Sequence, residues 1–444
     1  MKPIVMPGLD EVASRVLATA RAVAKEAQVR ASVSRIAAAN VRFAKNEITT
    51  SGEYDEITVS VLIALGRRQA WTTTNQTDPA SVKALVERAV AMARLAPEDP
   101  ETMPLLPPQP RVVGPPAHDA ALAKMTPAER AAVATRAIAA ADEKKVQIAG
   151  FFTREAREHV IRSSTDLVAS HAETEATYTV SARTPDATGS GWAGRETHRA
   201  GELDDASLSL VAIDKAVRSA RPRQIPPGKY TVILEPQAVA EMLAFLTGSM
   251  SLRSVDEGRS YFTGKLSEKL FADMVSLKSD PTDPATPGSP FDGEGMTLRP
   301  QTWIEAGRVE DLHVSRFWAA KKGVAPTGSH GVYRLGGGQA ASVDELVRGT
   351  KRGLLVTRFW YSRMLEPQTV MLTGLTRDGL FLVEDSKVTM PVTNFRYNES
   401  PVTVLRNVDA MTRESTRTPS GSGAWHVPAL RTHEFTMASP SAAV

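Results

Sequence analysis

The sequence contains no cysteine. Disulfides, thiolate nucleophiles and cysteine-ligated metals are therefore excluded. Histidine is sparse as well. His118, His159, His171, His198, His313, His330, His426 and His433 are all there are. No two lie three to five residues apart, so no helix can turn a histidine pair toward one metal. Neither sign of charge dominates. The net charge of +3, from 53 Lys+Arg against 50 Asp+Glu, argues against nucleic acid and anionic membrane as partners. No apolar run approaches the ~18 residues of a membrane span. The opening MKPIVMPGLDEVASRV lacks the apolar stretch of a secretory signal, so the expected compartment is the cytoplasm. Signals for common nucleophile and nucleotide sites are missing too. G-x-S-x-G occurs nowhere as a credible elbow, and Gly336-Gly337-Gly338 is not followed by the Lys-Ser/Thr of a phosphate loop.

What is present is the material of a soluble globular protein. At 444 residues, 42% apolar, the chain can build two or three domains. Leu9, Val12, Val16, Leu17 and Ala20 stripe a helix over 9–29. Strands are expected over 31–36, 40–50, 56–65 and 69–74, with a turn at Gly66-Arg67-Arg68. Asp78 caps a helix that begins at Pro79, and a second helix follows Thr126. The proline-rich stretch 97–118 between them is expected to cross the surface as extended chain. Strands over 151–170 and 174–183, a Gly-rich turn over 184–194 and a helix over 204–220 complete an N-terminal α/β domain, 1–222, with an antiparallel sheet and flanking helices. Residues 221–228 (RPRQIPPG) are expected to link it to a mainly antiparallel β domain, 229–413. There, 274–301 and 324–338 are expected as loops, and 303–309, 312–321, 354–361, 369–375, 380–384 and 387–390 as strands. The overall class is α+β. The Ser/Thr/Pro/Ala-rich residues 414–444 are expected to form a partly disordered tail.

Candidate chemistry centres on EPQAVAEMLAFL, 235–246. It follows the apolar strand YTVIL, and Val239, Met242, Leu243 and Leu246 form a helical stripe. Glu241 is the only charge inside this helix. A zinc peptidase would flank such a glutamate with metal ligands, but Ala240 precedes Glu241 and Phe245 lies one turn on. Taken plainly, a lone helix carboxylate is a solvated charge, and His330 in PTGSHG is a solvated loop histidine. His433-Glu434 imitates the start of a zinc motif, yet its next-turn partner is Ala438. No metal site is expected in this chain.

Several segments together resemble the TldD/PmbA family of modulator-of-gyrase-type peptidases, specifically its TldE/PmbA-like branch. They are EITVSVLIALGRRQAWTTTNQTDPASVKALVERAVAMAR, YTVILEPQAVAEMLAFL, GRSYFTGKL, SDPTDPATPGSPFDGEG, WIEAGRVEDLHVSRFWAAKKGVAPTGSHG and GLLVTRFWYSRMLEPQTVMLTGLTRDGLFLVEDSKVTMPV. Their order covers roughly 10–410. In the TldD branch this helix carries HExxxH, whose histidines hold zinc with a downstream cysteine. Placed here, the motif falls on Ala240, Glu241 and Phe245, so only the glutamate matches. The resemblance therefore implies a non-catalytic subunit in a hetero-oligomer, with zinc in a TldD-like partner and unfolded or leader peptides as substrate. An extended peptide would suit a β-rich cleft through added strand pairing. Two other readings stand beside it. One is a stand-alone peptidase or hydrolase using Glu241, His330, Asp292 and Glu294. The other is a peptide-binding scaffold without enzymatic activity.

Overall fold

The computed structural model describes residues 8–419 and 423–441. The N-terminal half is one six-stranded antiparallel sheet. Its spatial order is Arg68–Thr74, Glu47–Leu65, Gln28–Ala44, Gln147–Ser163, Val168–Arg183 and Ser190–Thr197. On the Gln28–Ala44 strand the buried Val29, Ala31, Val33, Val41 and Phe43 share one parity, so one face of the sheet carries the core. Helices Leu9–Val23 and Pro79–Leu95 cover one end of that face, and Pro127–Glu143 and Asp205–Arg218 the other.

The expected starts hold. Asp78 accepts the Ser81 N–H, and Thr126 and Glu129 form a reciprocal capping box. The alternation over 40–50 does not form one strand. It contains a turn at Lys45-Asn46, where both residues take positive φ (53° and 59°), the left-handed pair that a tight hairpin needs. Nor is 184–194 simply a turn, because Ser190–Thr197 is the sheet's last strand. The proline-rich stretch crosses in extended form. The Leu105 N–H donates to Gln28, and Leu106 and Pro110 carbonyls accept from Thr165 and Thr297.

In the C-terminal half, Arg352–Glu366, Gly228–Leu234, Leu430–Pro440, Phe395–Glu399 and Met371–Glu384 pair in that order. Met371–Glu384 then pairs back onto Arg352–Glu366, which closes a barrel. Pairing is antiparallel throughout this barrel except between Gly228–Leu234 and Arg352–Glu366. A second sheet runs Arg308–Val309, Gln301–Glu305, Ser276–Ser279, Val332–Gly336, Ala424–Val427 and Thr416–Thr418. The Pro236–Ser249 helix lies within the shared core of the two sheets.

Three expectations change here. Residues 414–444 are not a tail over their described part. Three of the C-terminal half's strands come from it, and Leu430, Thr432, Phe435 and Met437 are fully buried or nearly so. Their Ser/Thr/Ala-rich context hid this, but Thr432 spends its hydroxyl on the Val404 carbonyl, so a polar residue fits the core. Residues 420–422 and 442–444 fall outside the described chain. The strand expected over 312–321 is instead the helix Arg316–Lys322, capped by Ser315 and ended by Gly323 at φ 68°. The loops expected over 274–301 and 324–338 contain the strands Ser276–Ser279 and Val332–Gly336, too short for a period to show.

The triple glycine has a packing role. Gly337 has φ 115°, and a Cβ there would lie 1.7 Å from the Met274 carbonyl oxygen. Gly337→Ala is expected to lower unfolding free energy by roughly 2–3 kcal/mol or more. Denaturant unfolding checks this. A midpoint equal to wild type would contradict it.

Candidate active-site cavity

The helix Pro236–Ser249 starts where the strand Gly228–Leu234 ends, with Pro236 supplying a preset first turn. Ala238, Val239, Ala240, Met242, Leu243 and Leu246 are all buried, so this helix is enclosed on most sides. The N-cap Glu235 points away from its own helix and meets Lys215 of the N-terminal half at 2.5 Å.

Glu241 is not a solvated charge. Its side chain is one-fifth exposed. One carboxylate oxygen accepts from Gln237 Nε2 at 3.0 Å, one turn back on the helix. The other accepts the Phe359 backbone N–H at 2.6 Å. Arg358 stands 3.7 Å away. Burial pushes the Glu241 carboxyl up to about 7 against the pull of Arg358 and these two donors.

A cavity of about 450 Å³ opens beside this carboxylate. Its far wall is the Arg352–Glu366 strand, whose register slips between Val356 and Arg358 and again between Trp360 and Arg363. Such bulges re-aim side chains. Tyr361, inside the second slip, sits at φ 54°, a strained conformation for a bulky residue. Trp360, Tyr361 and Phe245 supply an apolar lining. Arg377 stacks on Trp360 at 3.8 Å, and Arg358 on Trp192 of the N-terminal half at 4.8 Å. Gln237 also donates to the Pro419 carbonyl, which joins the last described strands to the cavity.

The residues here do not fit a catalytic zinc. Ala240, Ala244 and Phe245 face the cavity with Glu241 but offer no donor atom. The glutamate is already engaged, and a guanidinium beside it would repel a dication. Among the described residues no group of three or more His, Asp or Glu side chains is placed to hold a metal.

The other candidates lie elsewhere. His330 is buried edge-on to Trp303 at 5.5 Å, and burial lowers its pKa to about 4. It lines a separate cavity of about 340 Å³ with His159 and Asp292. Asp292 shapes a loop, accepting backbone N–H groups of Glu294 and Met296. Glu294 pairs with Arg316 at 2.7 Å. His433 pairs with Asp409 and Glu434 with Lys229, so that pair carries a surface ion-pair role. The structure therefore does not bring Glu241 and His330 into one site.

Sequence reasoning passed over Arg358 and Arg417. The first sits in VTRFWYSR, where strand alternation breaks at a bulge. The second sits on the strand Thr416–Thr418, inside the expected tail. Arg417 is buried and donates to Glu196, to His198 Nε2 and, at 3.1 Å, to Glu175. Glu175 and Glu196 belong to the N-terminal sheet, and His198 directly follows its last strand. His198 presents Nδ1 to the Thr174 carbonyl at 2.9 Å, which assigns the proton to that nitrogen and leaves Nε2 as acceptor.

Comparison with known proteins decides the family. The profile of the PmbA/TldA metallopeptidase C-terminal domain matches residues 227–439, and that of PmbA/TldA metallopeptidase domain 1 matches 29–93. This chain belongs to the TldD/PmbA family. The structure of TldE from Thermococcus kodakarensis has the same TldD/PmbA fold, with TM-score 0.86 over 93% of this chain and 96% of that one at 18% identity. A metalloprotease of Methanothermobacter thermautotrophicus is 22% identical over 45% of this chain and 46% of its own length. A metalloprotease of Methanocaldococcus jannaschii is 24% identical over 47% and 49%. The chain thus aligns with about half the length of these curated relatives. None of its described helices is long and apolar enough to cross a membrane.

Proposed function

We propose that this chain is the metal-free, TldE-like subunit of a heteromeric zinc metalloprotease that degrades unfolded or leader peptides in the cytoplasm. The zinc and the general base belong to a TldD-like partner. The observation that carries this reading is the cavity at Glu241. The helix faces that cavity where family metallopeptidases would present ligands, but it offers alanine and phenylalanine instead. The metalloprotease names of two relatives support the reaction class, and the likeness to a TldE supports the branch.

One observation favours a stand-alone hydrolase: a carboxyl with a pKa near 7 in a cavity is a common property of a general base. Against it, both Glu241 oxygens are already accepting, and among the described residues no histidine lines the cavity.

The two readings separate in a peptidase assay on an unfolded peptide. The purified chain alone is expected to cleave nothing, and cleavage is expected once an HExxxH-bearing TldD-like subunit is added. Partner-free cleavage that disappears in Glu241→Ala would overturn the subunit reading.

A further inference from the structure

The Glu241 cavity holds an arginine whose guanidinium donates to none of the described residues. A guanidinium carries five N–H donors in a planar fork. The Arg358 guanidinium makes no hydrogen bond to any described residue. Its closest acidic neighbours are Glu241 at 3.7 Å and Asp378 at 4.0 Å, both beyond hydrogen-bond range. Its Nε is buried without a partner. One face is covered by the Trp192 ring. Asp378 also stands 3.8 Å from Arg377. Glu241 is held by Gln237 and by the Phe359 N–H. Arg358 is thus oriented by ring stacking, charge-balanced by neighbours, and left with its fork free.

The walls around it restrict what could fill that fork. Ala240, Ala244, Phe245, Trp360 and Tyr361 make most of the lining apolar, and the volume of about 450 Å³ lies in the range of small-ligand sites. The strand presenting Arg358 is bulged on both sides and strained at Tyr361. That distortion holds the arginine and the aromatic side chains on one wall, and strain of this kind collects at binding sites. A single fork flanked by two carboxyls suits a monoanion that accepts bidentately. Asp378 and, when ionised, Glu241 would repel a phosphate dianion about twice as strongly as a monoanion.

We infer that this cavity captures the free C-terminal carboxylate of a peptide through Arg358, with the terminal apolar or aromatic side chain packed against Phe245, Trp360 and Tyr361. The peptide class rests on the subunit reading above. In that setting the chain would anchor the end of an extended substrate while the partner acts on another part of it.

The test is binding of Ala-Ala-Phe with a free C-terminus, of its C-terminal amide and of inorganic phosphate to the purified chain. Titration calorimetry or the fluorescence of Trp192 and Trp360 reads it out. The free acid is expected to bind at least about tenfold more tightly than the amide, the ratio set by one bidentate charged pair. Arg358→Gln is expected to remove that preference, and Arg358→Lys to recover only part of it, because an ammonium lacks the fork. The acid-against-amide comparison needs no variant, so it stands even if Arg358→Gln folds poorly. Equal binding of acid and amide, no binding of either at millimolar concentration, or phosphate competing as well as the acid would each overturn the inference. If any of these is found while the chain still captures a zinc-bearing partner, the anchor fails and the subunit reading survives. A clear acid preference in a chain that captures no such partner would keep the anchor and remove the subunit reading.

Discussion

Arg417→Met is expected to lower the unfolding free energy by roughly 3–5 kcal/mol, the usual cost of leaving a buried charge without its partner. Arg417 donates to Glu196, which is 6% exposed. Burial, and the neighbouring Glu175 carboxylate, already push the Glu196 carboxyl upward against the pull of Arg417. Without the guanidinium, Glu196 must take a proton or stay charged in the interior, and His198 Nε2 loses its donor. Because Arg417 lies on a C-terminal strand and its acceptors in the N-terminal half, the loss falls on the junction of the two halves. Denaturant midpoints read the effect. Adding Glu196→Gln to Arg417→Met is expected to recover part of it, since the more deeply buried of the two carboxylates left without the guanidinium is then neutral, while the part-buried Glu175 stays without it. A single-variant loss below ~1 kcal/mol would contradict the account.

Glu241→Ala is expected to cost about 2–4 kcal/mol, because the Phe359 N–H at the bulge and Gln237 both lose their acceptor. Glu241→Gln keeps an acceptor oxygen and is expected to be far milder. The two also separate by pH. Glu241 takes up its proton near pH 7 when folded and near 4.5 when unfolded. Between those values the folded chain binds more protons than the unfolded one, so stability from this group is full below about 4.5 and is lost as pH rises through 7. At 1.36 kcal/mol per pKa unit the window is worth about 3 kcal/mol. Glu241→Gln should therefore gain on wild type from pH 5 to about pH 7 and level off above it.

The buried imidazoles act in the opposite sense. His159, His313 and His330 are lowered to about 4 and His426 to about 3, chiefly by burial. Unfolding lets them protonate below about 6.5, so stability falls as pH drops from there toward 4. A thermal-unfolding series from pH 4 to pH 8 should show wild type most stable in the middle. A flat profile would contradict both assignments.

Much of this fold was legible because it rests on local rules. The stripe of the first helix, the caps at Asp78 and Thr126, the Gly66 turn and the helix after YTVIL all follow from period and end chemistry. What stayed hidden depends on partners distant in sequence. Ser276–Ser279 is a strand because Gln301–Glu305 and Val332–Gly336 lie beside it, not because four residues show a pattern. Leu430–Pro440 completes the barrel against strands that begin some two hundred residues earlier. The site divides in the same way. Ala240 and Phe245 could be read as unable to bind zinc from their chemistry alone. The burial of Glu241 could not be read, since it depends on Phe359 and Arg358 arriving from a bulged strand more than a hundred residues away.

The central claim is that the metal chemistry belongs to another chain. The direct measurement is to purify the tagged protein from its native host and determine zinc content and co-purifying proteins together. The account predicts near-stoichiometric recovery of an HExxxH-bearing TldD/PmbA homologue, with about one zinc per pair and none retained by this chain once separated. Zinc bound stoichiometrically to this chain alone, or degradation of an unfolded peptide by the chain without a partner, would contradict it.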